Sequence, residues 1–197
     1  MSPLELRARL AHPALFQGIH PTFSDDSHGA DEPPSRQAAV LVPLVMHEDR
    51  APGVLLTRRA AHLASHAGQV SFPGGRIEPG ETPEQAALRE AMEEVGLDPR
   101  LPELAGRMPP HRTGTGYEIT PVVGLLPPGL SLRPDPGEVA LIFEIPLTLV
   151  LDPAAPRRER AESKGRLREY WVWPHENEFI WGATATILVN LARALRG

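Results

Sequence analysis

Cysteine is missing altogether from this 197-residue chain. Its absence excludes disulfides, thiolate metal sites and a cysteine nucleophile, and it fits a reducing, cytoplasmic setting. An excess of positive charge is also missing. The formal net charge is −5, so no global basic field is present to attract nucleic acid. Long apolar runs are lacking too. The longest, AAVLVPLVM at 38–46, is far short of a membrane span. The N-terminal MSPLELRARLAHP places charges inside its apolar pattern, so it does not read as a secretory signal. It reads as a short amphipathic helix ending near Pro13. No Gly-x-Ser-x-Gly elbow or Ser-His-Asp arrangement is found, which argues against a covalent serine mechanism.

Proline is abundant, at 23 residues, and falls mostly between apolar segments, where it stiffens loops. Residues 20–36, HPTFSDDSHGADEPPSR, form a polar, Gly- and Pro-containing flexible linker. The chain therefore divides into residues 1–36, helix and linker, and a single folded domain over 37–197. Apolar, β-branched stretches at 37–47, 53–59, 119–126 and 138–147 read as strands. Helical periodicity appears over 82–95 and over roughly 182–196, where Ile187, Leu188, Leu191 and Leu195 recur. Strands on both sides of a central helix, with another helix closing the chain, predict an α/β (α+β) sandwich, a mixed sheet between helices. The charged stretch 152–168, DPAAPRRERAESKGRLR, reads as a flexible loop.

The segment GGRIEPGETPEQAALREAMEEVGL, residues 74–97, carries the chemistry. Thr82 is a natural N-cap, Pro83 suits the first helical position and Gln85 completes a capping box. Gly96 is placed to end the helix in a left-handed conformation. At 100° per residue, Ala87, Leu88, Ala91, Met92 and Val95 share a face that packs on the sheet. Glu90, Glu93 and Glu94 share another, through i, i+3, i+4 spacing. Like charges so placed cost a helix about 0.2–0.5 kcal/mol per pair. A solvated acidic surface usually intersperses lysine, and this helix has none. A hard divalent cation such as Mg²⁺ or Mn²⁺, which seeks oxygen ligands, turns that repulsion into attraction.

The same segment resembles the Nudix box: glycine, five residues, glutamate, seven residues, Arg-Glu, an aliphatic, any residue, Glu-Glu, any residue, Gly and an aliphatic. Here the positions are Gly75, Glu81, Arg89, Glu90, Ala91, Glu93, Glu94, Gly96 and Leu97, with Ala91 small for its aliphatic slot. Seven fixed matches, each near 7% by composition, arise by chance about once in 10⁸ windows. The resemblance implies a Nudix fold and a metal-dependent pyrophosphohydrolase. It makes Glu90 and Glu94 metal ligands, Glu93 a further ligand or the base that activates water, and a Gly74 or Gly75 carbonyl a further donor. It makes Glu81 a support paired with Arg89, a pair that also reads as a loop-to-helix salt bridge.

Upstream, LLTRRAAHLASHAGQVSFPGG (55–75) resembles the signature of the coenzyme A pyrophosphatase branch. Leu55, Leu56, Thr57, Arg59, Ala60, Gly68, Phe72, Pro73, Gly74 and Gly75 match, while Ala64 stands where that pattern has a second arginine. The resemblance implies a small-molecule substrate, coenzyme A or a derivative, with Arg59, His66 and Phe72 as substrate-binding candidates. The resemblance also offers Glu138, on a neighbouring strand, as a carboxylate that reaches the metals; the residues equally allow a structural loop histidine at 66, a core role for Phe72 and a plain strand-edge role for Glu138. His62 and His66 lack an HExxH glutamate, so a zinc site is not expected. Other readings are ADP-ribose or NADH as substrate, and a catalytically silent nucleotide sensor. The sensor would be expected to have lost a metal glutamate, and none is lost.

Overall fold

The computed structural model describes residues 1–23, 36–163 and 166–197. In chain order the elements are α1 (Pro3–Leu10), β1 (Thr22–Phe23), β2 (Arg36–Val45), β3 (Gly53–Arg59), β4 (Val70–Ser71), β5 (Gly74–Arg76), α2 (Pro83–Val95), β6 (Glu103–Arg107), β7 (His111–Arg112), β8 (Tyr117–Leu126), β9 (Val139–Pro146), α3 (Leu147–Leu151), β10 (Arg157–Ser163), β11 (Arg166–Trp173), β12 (Ile180–Trp181) and α4 (Gly182–Arg196).

The four expected strands form the centre of one mixed sheet. β2 runs parallel to β8 over its whole length, from Arg36 opposite Tyr117 to Val45 opposite Leu126. It is antiparallel to β3, and β3 is antiparallel to β9. Side-chain alternation along β2 sorts its residues between two cores. Ala39, Leu41 and Val45 join Ala86, Ala87, Ala91 and Val95 of α2 on one side. Val42 and Leu44 join Leu6 and Leu10 of α1, Val150 of α3 and Leu188, Leu191 and Leu195 of α4 on the other. Helices thus cover both faces of a mixed sheet, as the order of elements predicts.

Helix α2 starts and stops where its signals lie. The Thr82 hydroxyl accepts from the Gln85 amide at 3.3 Å, and the Gln85 side chain accepts from the Thr82 amide at 2.8 Å. Gly96 is left-handed, with φ 68°. Its amide donates to the Met92 carbonyl, and the Leu97 amide donates to that of Ala91.

Three expectations are corrected. Met92 does not pack on the sheet: it is 56% exposed. The buried face of α2 is instead Ala86, Ala87, Ala91, Glu94 and Val95. The helix is rotated toward Glu94 because alanines let it approach the sheet closely and because Glu94 finds polar partners beneath it. The stretch 152–168 is not a loop. From Arg157 it forms the antiparallel hairpin β10–β11, extended by β12. Its outer strand has no apolar alternation to announce it. Cross-strand charge holds it: Arg158 and Arg160 both reach Glu169, and Arg158 lies 4.4 Å from the centre of the Trp171 ring. Within the linker, Thr22–Phe23 pairs in parallel with β7, while residues 24–35 lie outside the described residues. No described helix is long and apolar enough to cross a membrane.

Candidate active site

The site forms where β5 slides under α2. β5 pairs with β2, Gly74 opposite Val40 and Gly75 opposite Ala39. Both glycines are dictated by close approach. A Cβ on Gly74 would stand 2.4 Å from the Ala39 carbonyl oxygen, and one on Gly75 would stand 2.4 Å from the Glu90 carboxylate carbon. Only a bare backbone lets the helix lower its carboxylates onto the strand.

Glu94 is the deepest of these groups, at 2% exposure. It accepts a hydrogen bond from the Gly74 amide at 3.1 Å and faces the Arg59 guanidinium at 3.5 Å. Burial pushes its pKa up to about 7, with the Gly74 amide and Arg59 opposing and the charges of Glu90 and Glu138 adding to the rise. Burial likewise raises the pKa of Glu90, chiefly against the hydrogen bond from Arg89, with Glu93 and Glu138 contributing like charge.

Arg89 organises the rest. It grips Glu81 with two nitrogens at 2.8 and 3.0 Å, reaches Glu90 at 2.9 Å and Glu93 at 3.2 Å, and donates to the Arg76 carbonyl at 3.0 Å. This contact holds the Glu81 carboxyl well below the usual range, at about 2, with the Glu78 amide helping. A carboxylate so firmly ionised is a poor proton acceptor near neutral pH. Glu93 differs from its neighbours, its side chain being 58% exposed.

Three acids with all-oxygen donors, one buried and one half-buried and both with raised pKa values, beside a further acid, suit a hard divalent cation such as Mg²⁺ or Mn²⁺. Among the described residues no three acidic or histidine side chains already close into a ligand cage. In their arrangement here, Arg59 pairs with Glu94 and Arg89 pairs with Glu81, Glu90 and Glu93, two cations against four acids.

The fold therefore brings together Glu81, Arg89, Glu90, Glu93, Glu94, Gly74 and Arg59. Glu138, in the turn just before β9, joins them electrostatically, acting on Glu90 and Glu94. Phe72, at 3% exposure, lies in the core cluster that includes Leu188 and Leu191 of α4. His66 sits on an exposed turn in the left-handed region, φ 57°, with Nδ1 2.8 Å from the Gln69 side-chain oxygen. His62 is turned away to the Gly137 carbonyl at 3.1 Å.

Comparison with known proteins agrees with this geometry. The NUDIX domain family matches residues 35–186. The chain is 44% identical over 178 residues to "Uncharacterized Nudix hydrolase NudL" of Salmonella paratyphi B, covering 90% of this chain and 89% of that protein. The same figures hold for the Salmonella newport protein of that name. Among solved structures, the Nudix hydrolase RenU of M. smegmatis superposes with a TM-score of 0.52 at 27% identity, covering 68% of this chain and 84% of that one.

Proposed function

Since the chain belongs to the Nudix domain family and is a Nudix hydrolase of nucleoside diphosphate-linked compounds, we propose that it hydrolyses the pyrophosphate bond of coenzyme A or its derivatives to 3′,5′-ADP and 4′-phosphopantetheine. The observation that carries the reaction is the carboxylate pair Glu90 and Glu94, lowered onto Gly75 and Gly74 at the end of the Leu55–Gly75 signature. Glu90 and Glu94, with Glu93 and a Gly74 carbonyl, would hold Mg²⁺ or Mn²⁺, which when bound neutralises diphosphate oxygens and lowers the pKa of water.

Arg89 and Glu81 are positioning residues. The bidentate grip fixes Arg89, and Arg89 fixes the rotamers of Glu90 and Glu93. Glu93, the most exposed of the three acids, takes the proton of the attacking water. Arg59 and His66 bind phosphate. Arg59 lies beside Glu94 already, and a diphosphate arriving with its cation gives that guanidinium a second anion to hold. Attack by water displaces one phosphate from the other with no enzyme ester.

The test is kcat/KM for coenzyme A, dephospho-coenzyme A, ADP-ribose and NADH under one metal condition. Coenzyme A is expected to be the best of the four. ADP-ribose or NADH as best substrate overturns the coenzyme A reading and leaves the hydrolase class. No turnover of any of them across a Mg²⁺ and Mn²⁺ titration favours a silent nucleotide sensor.

A further inference from the structure

Two arginines next to the carboxylate site differ from their neighbours. Arg58, Arg59, Arg89, Arg107 and Arg112 each have a carboxylate partner. Arg36 and Arg76 have none among the described residues. Both are exposed, and both converge on Tyr117. The Arg76 Nε donates to the Tyr117 hydroxyl at 3.0 Å. The Arg36 and Arg76 guanidinium carbons lie 5.2 and 5.8 Å from the centre of its ring.

Their place in the sheet brings them together. Arg36 opens β2, Tyr117 opens β8 directly opposite it, and Arg76 closes β5 opposite Ala38. All three therefore stand on one rim of the sheet and, by alternation, on the side away from α2. Arg76 also links this rim to the catalytic carboxylates. Its carbonyl receives Arg89, and its neighbour Gly75 lies against Glu90.

Two like charges gathered on one phenol repel each other, and among the described residues neither has a carboxylate partner. An anion with several oxygens relieves this, and guanidinium forks match phosphate oxygens. We propose that Arg36, Arg76 and Tyr117 form a phosphomonoester site, which holds the separate 3′-phosphate of the substrate while its diphosphate lies over the carboxylates. The assignment rests on the coenzyme A reading for its substrate. It accounts for Ala64, because the cation lacking at that point of the signature is supplied from the sheet rim.

The experiment uses the full chain and the variants Arg36→Ala, Arg76→Ala and Tyr117→Phe. In kinetics, each arginine variant is expected to lose about 10- to 150-fold in kcat/KM for coenzyme A, the weight of one charge-assisted phosphate contact. For dephospho-coenzyme A each should stay within about threefold of the unaltered protein. Tyr117→Phe should weaken the same preference by a smaller factor, by freeing Arg76 from its hydrogen bond. Equal losses on both substrates overturn the proposal, since they mark the arginines as supports of the catalytic loop. No loss on either overturns it too.

Calorimetry with 3′,5′-ADP and 5′-AMP decides the matter separately from turnover. The proposal requires tighter binding of 3′,5′-ADP, lost in Arg36→Ala and Arg76→Ala while 5′-AMP binding persists. Equal affinities in the unaltered protein overturn the rim site even if coenzyme A is cleaved. Failure to cleave coenzyme A overturns the substrate reading while the calorimetric contrast still supports the site.

Discussion

Replacing Glu94 with glutamine separates the cost of burying this carboxylate from its use. The side chain keeps its shape and retains an oxygen to accept the Gly74 amide. What it loses is the charge. A carboxyl whose folded-state pKa lies above its unfolded value binds its proton more tightly when folded. Its contribution to stability is fully present below about 4.5 and is lost as pH rises to about 7. At about 1.4 kcal/mol per pH unit, that interval amounts to roughly 3 kcal/mol at pH 8. Repulsion shared with Glu90 and Glu138 is relieved at the same time. In EDTA at pH 8, Glu94→Gln should therefore melt higher than the unaltered protein. For a chain of this size, 2–3 kcal/mol corresponds to about 4–12 °C in Tm. At pH 4.5 the two should melt together, since other titrating groups are common to both and cancel in the difference. Saturating Mg²⁺ should raise the Tm of the unaltered protein more than that of the variant. Turnover of the variant should fall at least about 100-fold. A variant that melts no higher at pH 8, or whose advantage persists at pH 4.5, refutes the burial argument. Near-normal turnover at saturating Mg²⁺ refutes the ligand role of Glu94.

Hydrolysis in ¹⁸O-labelled water should place label on one product phosphate in a single turnover; unlabelled product from the first turnover would point to a covalent carboxyl-phosphate intermediate. Gly75→Ala sets a methyl against the Glu90 carboxylate carbon, at 2.4 Å before relaxation. It should lower kcat by about 100-fold or more through misplacement of about 1 Å, with the far-ultraviolet circular dichroism unchanged; wild-type activity in this variant contradicts the close packing of β5 and α2.

The box was legible because its signals are local. Thr82, Pro83, Gln85 and Gly96 set the ends of α2 through contacts at most five residues long, and i, i+3, i+4 spacing groups Glu90, Glu93 and Glu94 whatever the rest of the chain does. The central strands were legible for a similar reason: their apolar content makes burial the only outcome. Hairpin β10–β11 was not, because Arg–Glu pairs across strands leave no periodic mark within either strand.

By itself, then, the sequence determined the Nudix hydrolase class, the acidic cluster on α2 and the layered fold. Tertiary structure decided how those residues differ from one another. Spacing treats three glutamates as equivalents. The sheet beneath α2 buries Glu94, half-buries Glu90 and leaves Glu93 open, while Glu138 arrives from the turn before β9, 44 residues further on. Likewise Arg36, Arg76 and Tyr117 are scattered in the chain and meet only because β2, β5 and β8 end at one rim. Desolvation and charge coupling depend on distance in space, and a linear pattern carries that distance only within one helix or one strand.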